Sequence, residues 1–193
     1  MNTIKKLLES KWGTFTSERT FFKQCCIDED EYLNVIFKPI VKNQYSYVGE
    51  LLDWKMPSDL VSFYEECNGV SLFSESIRIY GAAIDDRDDY NTLEIVHENV
   101  ISKLKKTMPQ YSDMIIIGAY GYYYFCVKRN FDGKYYSIGA NEKRIVHSFD
   151  GIETMLGYYV GKLMDEYDNS GAKIHKDEDL VGTPMENTSY EVL

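Results

Sequence analysis

The chain has 193 residues, 44% of them hydrophobic, which suits one domain with a sizeable core and a tail. Its formal net charge of −10 opposes nucleic-acid phosphates, so direct nucleic-acid binding is not expected and a basic partner fits better. No run of about 18 apolar residues occurs, and Met1 to Lys11 lacks the apolar stretch of a signal peptide, so the expectation is a cytoplasmic protein without a membrane span.

Residues 2–10 can form a short helix with Ile4, Leu7 and Leu8 on one side. Ser17-Glu18-Arg19-Thr20 is expected to open a second helix, with Phe21, Phe22, Cys25 and Cys26 as its apolar set and the acidic run Asp28 to Glu31 as its close. Tyr32 to Val41 reads as a strand or extended connection, and residues 46–53 as another short helix. Residues 57–67 follow as a helix with marked ends. Pro57 suits its first turn, Leu60, Val61, Phe63, Tyr64 and Cys67 make an apolar face, and Asn68-Gly69 offers a left-handed stop. Ser76 to Gly81 alternates as a strand should. Asp85-Asp86-Arg87-Asp88-Asp89-Tyr90 is too charged for an interior and reads as an exposed loop. Helical character returns over 92–107, ending before Pro109, with Lys103, Lys105 and Lys106 as a cationic C-terminal turn.

The second half is rich in strands. Met114 to Gly118, Tyr122 to Arg129, Lys134 to Ile138 and Arg144 to Phe149 are joined by turns at Asn130 to Gly133 and Gly139 to Glu142. Asp150-Gly151 opens a final helix whose apolar positions are Ile152, Met155, Leu156, Tyr159 and Leu163. From Asp165 the sequence is polar and acidic. The expected fold is α+β: an antiparallel-rich sheet of about four to six strands packed with helices. The division is a helical extension over 1–44, a core over 45–164 and a tail over 165–193.

Motifs for catalysis are missing. There is no GxSxG, no HExxH and no GxxxxGK[ST], and His97, His147 and His175 are isolated. Gly118-Ala119-Tyr120-Gly121 has GxxG spacing without basic flanks and reads as a bend. Four cysteines without a CxxC, two of them adjacent, read as reduced thiols. Asp85, Asp86, Asp88 and Asp89 lack the EF-hand spacing, so they read as a solvated loop or as a contact loop for a basic partner. No cofactor and no metal are expected.

Trp54, Pro57, Leu60, Phe63, Tyr64, Asn68 and Gly69, followed by Tyr80-Gly81, Ile115-Ile116-Ile117-Gly118, the strand Tyr122 to Val127 and Asp132-Gly133, form an ordered series. This series resembles the SMI1/KNR4 family, also called the SUKH superfamily, over roughly residues 45–163. Many members follow the Ile-Gly strand with Gly-Asp, whereas this chain has Gly121 followed by Tyr122, Tyr123 and Tyr124. The resemblance implies a helix-covered α+β sheet and no cofactor. It also implies an interaction protein, in bacteria mostly an immunity protein that binds a toxin domain, often a nuclease. The expected function is therefore a non-enzymatic antitoxin with a basic cognate toxin as partner; the alternative is a regulatory or scaffold interaction protein. The candidate contact residues are Asp85, Asp86, Asp88, Asp89, Tyr120, Tyr122 and Tyr124. The tyrosines are chosen because exposed rings anchor interfaces.

Overall fold

A computed structural model describes residues 1–28, 31–39, 44–82, 94–101 and 103–174. In chain order the elements are α1 (Asn2–Trp12), β1 (Thr16–Ser17), β2 (Phe21–Asp28), β3 (Glu31–Phe37), α2 (Gln44–Leu52), α3 (Ser58–Glu66), β4 (Val70–Leu72), β5 (Ile77–Ile79), α4 (Glu94–Val100) and α5 (Lys103–Thr107). After a 3-10 turn at Pro109–Tyr111 come β6 (Met114–Tyr120), β7 (Tyr123–Lys128), β8 (Tyr135–Gly139), β9 (Arg144–Phe149) and α6 (Ile152–Met164).

The fold is mixed α+β. Among the described residues the strands make one nine-stranded sheet in sequential order, every neighbouring pair antiparallel. That is more strand than the four to six expected. The difference comes from β1 to β4. The segment expected to be a second helix is β2, in register with β3 through Lys23↔Val35 and Gln24↔Asn34. Its Phe, Cys and Ile content also suits a strand. Phe21 and Phe22 point to opposite faces, so helical spacing mistook a two-sided strand for a one-sided helix. Phe21 meets the rings of Tyr32 and Phe37. Phe22 lies under the ammonium groups of Lys5 and Lys38. The strands of residues 16–37 thus continue the sheet of the later strands through the β3–β4 pairing.

Strand alternation sorts the sheet into two faces. On one face Ile77, Ile79, Phe125, Tyr135 and Ser137 look toward α6, and the Tyr159 hydroxyl donates to Ser137 Oγ at 2.6 Å. Ile152, Met155, Leu156, Tyr159, Val160 and Leu163 bury the inner side of α6. There α1 packs on α6, with Ile4 against Gly157. On the other face Arg78 reaches Glu94 of α4 at 2.5 Å, and α2 packs against α4.

Two details explain residues of the ordered series. Gly118 sits where β6 crosses β5, and a Cβ there would collide with the Arg78 carbonyl oxygen. Asn68 is a tertiary staple: its backbone N–H donates to Phe37 O at 3.0 Å and its side-chain Oδ1 accepts from Ala82 N–H at 2.9 Å. The expected left-handed stop at Asn68-Gly69 is displaced. Helix α3 ends at Cys67 in extended backbone, and Gly69 takes the positive φ of 93° two residues later. Trp54, Leu60, Phe63 and Tyr64 are all buried, and the Tyr64 hydroxyl donates to Tyr80 O at 2.7 Å.

Residues 165–174, the start of the acidic tail, pack on the rest of the fold. Tyr167 is buried against Phe73, the Trp12 indole donates to Asp168 O at 2.8 Å, and Tyr167 bridges to Lys173. These contacts hold the segment up to residue 174 against α1 and the β4–β5 turn.

Candidate functional site

The expected contact residues do not form one surface. Asp85, Asp86, Asp88 and Asp89 lie outside the described residues. Tyr120 and Tyr123 are directly paired across the β6–β7 hairpin and stack at 5.9 Å, both on the α6 face. Tyr120 also meets Tyr159 at 4.7 Å. Tyr124 belongs to the opposite face: burial pushes its hydroxyl up, and Glu98 of α4 adds to the effect. Tyr122 sits in the two-residue connection, where its carbonyl accepts from Ala140 N–H at 2.9 Å. Strand alternation puts Tyr123 and Phe125 on one face and Tyr124 on the other, and the hairpin turn pairs Tyr120 with Tyr123 rather than with Tyr124.

Tyr123 and Tyr120 belong instead to an aromatic cluster completed by α6 and β9. His147 and Phe149 alternate onto the α6 face. The Tyr158 ring lies 5.1 Å from His147 and 5.5 Å from Phe149, and Lys162 sits 4.7 Å over it. Tyr158 is exposed, whereas Tyr159 beneath is buried. Burial pushes the Tyr159 hydroxyl up to about 12, which keeps it protonated at neutral pH. The sequence held a signal for this cluster: i, i+2 alternation in β9 puts His147 and Phe149 on one face, and Tyr158 flanks the apolar positions of α6.

Beside this surface is an open cleft of about 370 Å³ between α3 and the start of α6. Thr154 at its rim and Tyr158 are four residues apart on α6, so cleft and aromatic cluster adjoin. The lining includes Asp59 and Glu66 from α3 and Asp150 and Glu153 at the start of α6. Phe63, Ile152 and Met1 supply its apolar part. The Met1 ammonium pairs with Glu66 at 3.4 Å and with Glu153, and Asp150 pairs with Lys134. Asp59 has no ion pair among the described residues. Asp59 and Glu153 occupy first turns, where a negative charge complements the helix dipole. This cleft was not foreseen, because its acids come from segments about 90 residues apart that only the packing of α3 on α6 unites.

The opposite face has its own polar cluster. Glu94 is mostly buried with one oxygen on Arg78, and burial raises its pKa against the pull of Arg78 and of the Gly81 backbone N–H. Asn99 closes the β6 edge just beyond the last β5 pair. Its Nδ2 donates to Ile95 O and Ile116 O at 2.8 and 2.7 Å, and its Oδ1 accepts from Ile116 N–H at 2.9 Å. Among the described residues no group of three or more His, Cys, Asp or Glu side chains is placed to hold a metal ion, and no helix is long and apolar enough to cross a membrane.

No family model matches the chain, and no curated protein matches it.

Proposed function

We propose that the chain is a non-catalytic binding protein that neutralises a protein toxin by covering its active surface. The partner is a basic toxin domain of the nuclease kind, met in the cytoplasm. The observation that carries this reading is the acid-lined cleft adjoining a half-exposed aromatic surface, in a chain of net charge −10. Aromatic rings provide the desolvated centre of a protein interface and charged groups its rim. Opposite net charges speed the encounter. The resemblance of the Trp54 to Gly69 segment to SMI1/KNR4 proteins supports the same reading.

The test has two stages. The tagged chain is used to capture partners from its own cells, and each captured polypeptide is then purified and assayed for toxicity with and without an equimolar amount of the chain. A single basic polypeptide whose activity disappears on mixing is the expected result. Capture of several regulatory proteins, none of them inhibited, would replace this reading with a scaffold role.

A further inference from the structure

We propose that residues 165–174 form a latch that holds the β4–β5 turn in a left-handed conformation, so that latch release and turn relaxation are one local switch. This switch stands independently of the binding reading above.

Phe73, Ser74 and Glu75 follow one another in the turn with φ of 55°, 50° and 68°. Left-handed backbone crowds the β-carbon of every residue but glycine, so such residues occur singly rather than in runs. Tight hairpins that need positive φ use glycine, asparagine or aspartate, and this turn has none of them at these positions. A strained stretch persists only where its surroundings over-determine it. Two sets of contacts do so here. From the sheet, Asn34 Oδ1 accepts from the Phe73 N–H at 3.2 Å, and Leu33 O accepts from the Ser74 N–H at 3.0 Å. From the other side, the buried Phe73 ring packs on Tyr167 at 5.3 Å and meets Trp12 edge-on at 5.8 Å. The Tyr167 hydroxyl also donates to Phe73 O at 3.5 Å.

The latch is a small unit with bonds of its own. The Asp168 N–H donates to Ala172 O at 2.8 Å, and the Ile174 N–H to Glu166 O at 2.7 Å. The Asp168 carboxylate accepts from the Ser170 and Ala172 N–H groups at 2.8 and 3.0 Å. Side chains of α1 and β2 fasten it. Trp12 Nε1 donates to Asp168 O at 2.8 Å, Lys11 Nζ to Tyr167 O at 2.5 Å, and Cys25 Sγ to Ser170 O at 3.0 Å. Gly171, at φ 86°, lies so close to Cys25 that a Cβ there would collide with Sγ. Trp12 touches both latch and turn, and Tyr167 belongs to the latch while packing on Phe73. A lifted latch therefore removes one of the two sets of restraints on the turn and leaves its backbone strain in place. Segments fastened by a few side-chain bonds open more readily than paired core strands. Opening uncovers the Phe73 and Tyr167 rings, an apolar surface hidden in the closed state.

The test is hydrogen exchange of the full chain, read by NMR at single amides. In the natural chain Phe73, Ser74, Asp168 and Ile174 should share one degree of protection, below that of β7 and β8. Gly171→Ala crowds Cys25 and strains the latch without touching the turn. It should speed exchange at Asp168 and Ile174 about tenfold, the scale of one left-handed non-glycine residue, and at Phe73 and Ser74 by the same factor. Glu75→Gly relieves the turn at an exposed side chain and leaves the latch untouched. It should slow exchange at all four amides, because coupling between two sites is reciprocal. The amides of β7 and β8 should remain the most protected in both variants, which separates latch opening from loss of the fold. Faster exchange confined to the latch in Gly171→Ala, or slower exchange confined to the turn in Glu75→Gly, would overturn the proposal. Should Gly171→Ala not fold, Glu75→Gly decides alone.

Discussion

The two faces of the sheet solve the same packing problem with different chemistry. Toward α6 the contacts are rings on rings: Tyr159 lies 4.7 Å from Tyr120 and 4.9 Å from Phe125, with a single hydroxyl bond to Ser137. Toward α4 the sheet meets a carboxylate, a guanidinium and the Asn99 amide, which takes over backbone bonds where β5 stops. The tyrosines of the β6–β7 hairpin are divided between these environments. One short sequence motif therefore supplies two unrelated surfaces, and its aromatic content does not define a single interface.

The comparison can be broken at either face. Tyr159→Ala should cost the most, about 4 kcal/mol from lost ring packing and a cavity, whereas Tyr158→Ala next to it should stay within about 0.5 kcal/mol. Urea unfolding of both variants measures the contrast, and equal losses would mean that Tyr158 is part of the core. Asn99→Ala should cost about 3 kcal/mol, because the Ile116 N–H and carbonyl lose their buried partner. A loss under about 1 kcal/mol would mean that water replaces the amide. Gly118→Ala tests the sheet between the faces and should cost about 2 kcal/mol as the new methyl forces β6 from Arg78.

Glu94 gives a smaller effect with a defined sign. Burial raises its pKa in the folded chain. The folded state then holds that proton more tightly than the unfolded state, so this contribution is full below the unfolded value and is lost as pH rises through the folded one. The stability of the natural chain minus that of Glu94→Gln should therefore grow as pH falls through the carboxylate range. A difference that shrinks on acidification would show that Arg78 outweighs burial. The mildest test is thiol labelling. Cys26 is exposed, while burial pushes Cys67 up to about 12 and Cys126 higher still. Cys26 should react in the native chain, and Cys67 and Cys126 only on unfolding. Rapid native labelling of Cys67 would mean that α3 opens readily.

Legibility followed local periodicity. The meander from β6 to β9 and helix α6 could be read because strand alternation, turn residues and helical spacing agree there, and every apolar position expected in α6 is buried. Helices α1, α2 and α3 emerged for the same reason. Strand β2 did not, because Phe21, Phe22, Cys25 and Cys26 satisfy helical spacing and only pairing with β3 decides against it. Of the expected contact residues, the four aspartates lie outside the described residues, and the tyrosines are split by the sheet. The cleft was illegible: Asp59, Glu66, Asp150 and Glu153 have no shared pattern in the chain.

The sequence by itself determined the α+β class, the antiparallel meander, the closing helix and the excess negative charge. Each of these is local or additive: a period, a turn residue, a sum of charges. Only the tertiary structure decided which edge β2 would join, which face each tyrosine would take, and which carboxylates would share a cleft. Those outcomes depend on strand pairing and helix packing between distant segments, where the direction of a side chain is set by its neighbours in space.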